Sequence, residues 1–176
     1  MDLRIERTRR SIINAFIELR SKKPLEKITI KELSELALIN KATFYSHFTD
    51  IYALSEHLEK ETIDNILANI PRPDSLITNP KQAVSELALA LMSQESLVNI
   101  LFSDSRASIL ASRLESELKA KIYSQYPEYK NNLEWNVLLT VLIQGNFHAF
   151  LSYSKKADTN KLVDIIGNIN EKMISM

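Results

Sequence analysis

Two glycines and five prolines are all that interrupt 176 residues. Those two residue types punctuate regular structure most strongly, so a chain this short of them has few places to turn. The remainder is rich in Leu, Ile, Ala, Lys and Glu, the better helix formers. An all-α chain of about nine helices is the expectation, with Pro24, Pro71, Pro73, Pro80 and Pro127 as boundary marks. Neither Gly145 nor Gly167 opens a phosphate-binding loop. There is no cysteine, which excludes disulfides, thiolate metal sites and a cysteine nucleophile. No serine–histidine–aspartate or paired-carboxylate arrangement is legible, so an enzyme is not expected. Neither a cofactor nor a metal is expected, and His57 beside Glu56 and Glu59–Glu61 does not make a ligand spacing. No apolar run reaches the roughly 18 residues of a membrane span. The charged start, Met1 to Arg10, lacks a signal-peptide stretch, and the expected location is cytoplasmic.

Apolar periodicity places the helices. Ile12, Ala15, Phe16 and Leu19 form one stripe on a helix from about Leu3 to Lys22. Thr29 stands at an N-cap with Glu32 three residues on, a capping-box pattern. The short helix behind it, Ile30 to Ala37, should turn Leu33, Leu36 and Ala37 inward. Asn40 is the next N-cap candidate, opening a helix through His47 with Phe44 and Phe48 facing the core. A long helix follows Asp50 and stops before Pro71-Arg72-Pro73-Asp74. Pro80 opens another, to about Ser93, and 97–102 is a short apolar piece. Asp104 or Ser105 should cap a helix running to Tyr126. Residues 133–154 are apolar nearly all round and are expected to be buried on several sides. The final helix puts Leu162, Ile165, Ile166, Ile169 and Met173 on one face.

Two short helices joined by a tight turn and braced by a longer one make the tri-helical helix-turn-helix plan. Charge supports that division. Residues 1–47 hold 10 Lys+Arg against 6 Asp+Glu, and residues 48–176 hold 12 against 16. A basic head on an acidic body suits nucleic-acid binding, although an imbalance of four charges also arises by chance. The expected division is a DNA-binding head over 1–50 and a helical regulatory and dimerisation body over 51–176, with 51–70 as connector.

The segment Ile28 to Leu54, ITIKELSELALINKATFYSHFTDIYAL, resembles the DNA-binding signature of TetR-family transcriptional regulators. It has a capped helix, a turn, and a recognition helix with Thr43, Phe44, Tyr45 and Phe48 in the family's Thr-aromatic-Tyr-x-x-Phe pattern. Ile12, Ala15, Phe16 and Leu19 match its first helix. Two positions depart: Leu38 stands where the family usually has Gly in the turn, and Ile51 where it usually has a phosphate-touching Lys. Unless Leu38 takes a left-handed geometry, the turn must differ slightly.

The resemblance implies roles. Asn40, Lys41, Ala42 and Thr43 would lead the recognition helix into the major groove. Lys41 would read guanine or touch phosphate, Ala42 or the Thr43 methyl would meet a thymine methyl, and Asn40 would cap the helix or contact DNA. Tyr45 and His47 would donate to phosphates, the alternatives being packing and a solvated surface. Thr29 and Lys31 would meet a phosphate at the second helix's start, or serve as cap and solvated charge. Arg4, Arg7, Arg9 and Arg10 would reach nearby backbone or form a solvated tail. In the body, Phe102, Arg106, Tyr123, Trp135, Phe147 and His148 are candidate pocket residues, each of which also reads as core. The whole would be a homodimer through 133–176 on a pseudo-palindromic operator, a repressor released by a small-molecule effector. The alternative is the same fold working as an activator or corepressor through a protein partner, without a pocket.

Overall fold

The computed structural model describes residues 3–103 and 106–175, all helix and connections. The caps expected at Asp104 or Ser105 fall outside the described residues. Among the described residues ten α-helices run in the order α1 (Leu3–Arg20), α2 (Ile30–Leu36), α3 (Lys41–Tyr45), α4 (Ile51–Ala68), α5 (Ser75–Thr78), α6 (Pro80–Ser93), α7 (Glu95–Leu101), α8 (Ala107–Gln125), α9 (Leu133–Tyr153) and α10 (Thr159–Ile174). The one beyond the expected nine is α5, a single turn between prolines. It is too short to show an apolar period, and it closes by Ile77 and Thr78 N–H donating to the Asp74 carbonyl.

Local chemistry sets the boundaries. Asn79 accepts from Gln82 N–H and Pro80 takes the first position of α6, where its missing N–H costs nothing. Asn132 caps α9 and Asp158 caps α10 in the same way. α8 gives way to Pro127 and a short 3-10 turn, Pro127–Asn131.

The buried apolar side chains form one continuous cluster from Ile12 in α1 to Ile166 in α10. The long α4 threads it, burying Ile51, Leu54 and Leu58 early and Ile63, Ile66 and Leu67 late. In the body, α10 lies along α6, and α9 lies against α8 and α10. Two expectations change. Leu36 is 41% exposed, because α2 makes its contacts through Leu33 and Ala37, four residues apart, and Leu36 lies about 100° round the helix from Ala37. The second concerns α9. It buries Leu139, Leu142, Ile143, Phe147 and Phe150 and exposes Val137, Val141 and Leu151. Within one chain the other helices cover only one side of it.

Candidate nucleic-acid interface

The head is built by caps. The Thr29 hydroxyl accepts from Glu32 N–H at 3.2 Å. The return arm of the capping box is absent, because the Glu32 carboxylate pairs with Lys23 instead. α2 ends in a Schellman motif: Leu38 N–H donates to Glu35 O and Ile39 N–H to Ser34 O. The residue at the left-handed position is Leu38, with φ 56°. The turn thus keeps the geometry that glycine favours without having glycine.

Beyond the turn, Asn40 Oδ1 accepts from Thr43 N–H at 2.7 Å and from the Thr43 hydroxyl at 3.0 Å. Asn40 is therefore a cap. Within α3 only Phe44 is buried, held by Phe48 at 6.1 Å between ring centroids and by the Tyr45 ring edge-on at 5.7 Å. Lys41, Ala42 and Tyr45 are exposed, and Thr43 and His47 are half-buried. Thr29 and Lys31 are exposed at the start of α2, with Lys31 only loosely paired to Glu35 at 4.0 Å. All eight candidate DNA-binding residues thus lie at the surface of the helix-turn-helix. Ile51 does not: it is buried at the first turn of α4, whose cap is Asp50, accepting from Ala53 N–H at 2.7 Å. At that position this chain uses an apolar anchor.

Two polar links tie α4 to its neighbours, one to α1 and one to Arg106 at the start of α8. Arg9 hydrogen-bonds His57 across α1 and α4, and Phe48 packs on the same imidazole. Lower on α4, Glu59 is fully buried. It accepts two hydrogen bonds from Arg106, each 2.8 Å, and one from Ser55 at 2.8 Å. Hydrogen bonding to Glu59, working against burial, raises the Arg106 pKa above its ordinary value. This bridge between connector and body carried no sequence signal, because its partners are 47 residues apart.

The six pocket candidates of the body are not brought together. Phe102 and Phe147 are buried in the core. Arg106 is spent on Glu59. The Tyr123 hydroxyl donates to Asn136 Oδ1 at 2.5 Å. Trp135 stacks on Tyr129 at 4.2 Å, and Tyr129 on Tyr126 at 5.3 Å. His148 is exposed, edge-on to Phe147. Aromatic residues at helical spacing served packing here. The void beside Leu76, Leu87, Leu118 and Ile143 is about 10 Å³, no more than one water needs. A surface hollow of about 240 Å³ lies elsewhere, walled by Leu91, Val98, Phe150 and Leu151 with Glu95 and Lys155 at its rim.

No protein-family model and no curated protein matches the sequence. Among solved structures, the chain is similar to a transcriptional regulator of the TetR/AcrR family from Aquifex aeolicus VF5. The TM-score is 0.65 and the identity 17%, over 94% of this chain and 99% of that one. The likeness is one of fold and runs over nearly the whole of both chains. Among the described residues no helix is long and apolar enough to cross a membrane.

Proposed function

We propose that this protein is a homodimeric, sequence-specific DNA-binding transcriptional regulator, acting as a repressor. One observation carries the reading: α3 buries a single residue, Phe44, and turns Lys41, Ala42 and Tyr45 outward from a capped N-terminus. A helix that serves only a core buries a stripe. This one is pinned at one point and held proud, as a helix entering a major groove must be. The basic balance of residues 1–47 and the shared fold of a known regulator support it. In this reading Asn40 sets the helix while Lys41, Ala42 and Thr43 face base edges. Tyr45, His47, Thr29 and Lys31 hold phosphates.

The test is fluorescence anisotropy with palindromic promoter DNA of the source organism. Lys41→Ala should weaken binding by about 1–3 kcal/mol and relax specificity at one position if it reads a base. If it holds a phosphate, it should weaken all sequences alike and lower the salt slope by about 1. Affinity that is non-specific and indifferent to both Lys41→Ala and Tyr45→Ala sinks the reading.

A second reading concerns the regulatory input. The filled core beside Leu118 favours a protein partner over an enclosed small-molecule effector. The regulator would then act as an activator or corepressor. Co-purification of a stoichiometric partner that alters operator affinity would support it.

A further inference from the structure

Among the described residues the deepest-lying cation without a carboxylate partner is Arg20, the last residue of α1. The residue is 6% exposed. Nη2 donates to the Ser103 hydroxyl at 2.8 Å and Nη1 to the Lys23 carbonyl at 3.3 Å. Nε is buried with no acceptor. Among the described residues no ion pair joins Arg20. The contrast with Arg106 is direct: that guanidinium is more exposed and yet is paired with the Glu59 carboxylate. A buried guanidinium satisfied by two neutral acceptors keeps an uncompensated charge and spare donors, which is costly unless an anion arrives.

There is room for one. Arg20 lines a hollow of about 430 Å³, open to solvent, with Ser21, Lys23, Asn99, Ile100 and Ser103. That volume is in the range of small-molecule sites. Its walls come from two parts of the molecule: the end of α1 and the turn after it, and Asn99 and Ile100 of α7 with Ser103. Lys23 adds a second positive charge, shared with Glu32. Hydroxyls and an amide supply the neutral contacts.

We propose that this hollow binds a small soluble metabolite through a phosphate or carboxylate group, with Arg20 as the charged anchor and Ser103 and Asn99 as neutral partners. The guanidinium fork matches either oxyanion. A bound anion bridges α1 to α7, and so couples the head to the body at a point away from α3. The site needs nothing from the DNA-binding reading. A DNA phosphate is the other source of the same chemistry. Asn99, Ile100 and Ser103 wall the site on the body's side, which favours the metabolite.

Thermal unfolding of the full chain tests this in sodium phosphate, pyrophosphate and citrate against sodium chloride at matched ionic strength. Specific binding raises Tm with oxyanion concentration, beyond chloride, in a saturating curve. Arg20→Met should abolish that extra rise while keeping Tm in chloride at or above the parent value, since a lone buried charge is gone. Arg20→Lys and Ser103→Ala, milder changes, should each weaken the response several-fold. The proposal is overturned if no saturating rise stands above the linear one that excluded oxyanions give any protein, or if a saturating rise survives Arg20→Met. Asp104→Asn, next to Ser103 in sequence, is the control for an internal counter-ion. If it lowers Tm in chloride and is non-additive with Arg20→Met, the charge is already paired and the site is lost. A rise in Tm that an unrelated DNA duplex competes away assigns the hollow to nucleic acid and overturns the metabolite.

Discussion

Leu38 is the residue with least reason to be where it is. It holds φ 56° and is 91% exposed. A left-handed conformation costs an L-residue about 1–2 kcal/mol, and this side chain recovers little of that by burial. Glycine would remove the strain but lose about 0.5–1 kcal/mol more backbone entropy on folding. Leu38→Gly should therefore stabilise the protein by up to about 1 kcal/mol, read as a higher urea midpoint with an unchanged slope. A lower midpoint would mean that the side chain has a contact beyond the chain itself. The capping residues around it were legible because a cap is a three-residue code: Thr29 and Asn40 both accept the N–H three positions on. Glu32 shows the limit of that code. Its carboxylate had a better partner in Lys23, nine residues back, which no local pattern reveals.

At the scale of elements, α8 and α9 are joined by a polar staple. Glu115 accepts from the Thr140 hydroxyl at 2.6 Å and the Gln144 amide at 2.8 Å, and pairs with Lys119 at 2.8 Å. Burial pushes its pKa up, but the hydrogen bonds and the Lys119 charge outweigh burial and leave it below the ordinary carboxylate value. A depressed pKa fixes the sign. The stabilisation is full above the unfolded carboxylate value, about 4.3, and is lost as pH falls through the lower folded value. Glu115→Gln should flatten the acid limb of stability against pH and leave its neutral-to-basic limb in shape. An unchanged acid limb would show that the staple carries no linkage. The two glycines separate cleanly at this scale. A Cβ at Gly167 would sit 3.2 Å from Lys81 Cα, backbone that cannot step aside, so Gly167→Val should lift α10 from α6 and cost about 1–3 kcal/mol. Gly145 has nothing within 4 Å. There Gly→Ala should gain about 1 kcal/mol in a lone chain. A loss in chemical denaturation would mean that another helix crosses α9 at that point. Helix existence was legible in the sequence because apolar periods in long segments are strong. Which side of α9 the chain itself covers was not, since its polar residues Asn136, Thr140 and Gln144 turn to α8 rather than to water.

For the whole molecule, that uncovered side matters most. Val137 and Val141 stand exposed four residues apart on α9, and Ile165 and Ile169 do the same on α10. Exposed apolar residues repeating at helical spacing on two adjacent helices leave a face that water covers poorly. The proposed dimer through 133–176 would cover it with a second copy, packed as a bundle about a two-fold axis. Val141→Glu places two carboxylates at such an interface, each costing about 3–5 kcal/mol if buried without a partner. The expected outcome is a monomer by light scattering, with the far-ultraviolet circular dichroism and thermal unfolding of a folded chain. DNA binding should then fall for a physical reason unrelated to the reading residues. Two linked heads make the second half-site contact intramolecular, an advantage of about 10²–10⁴ that a monomer forfeits. The loss should appear on a two-half-site operator and vanish on a single half-site, where parent and variant bind alike. A Val141→Glu protein that stays dimeric places the interface on another face. One that becomes monomeric yet keeps full operator affinity separates dimerisation from DNA binding altogether.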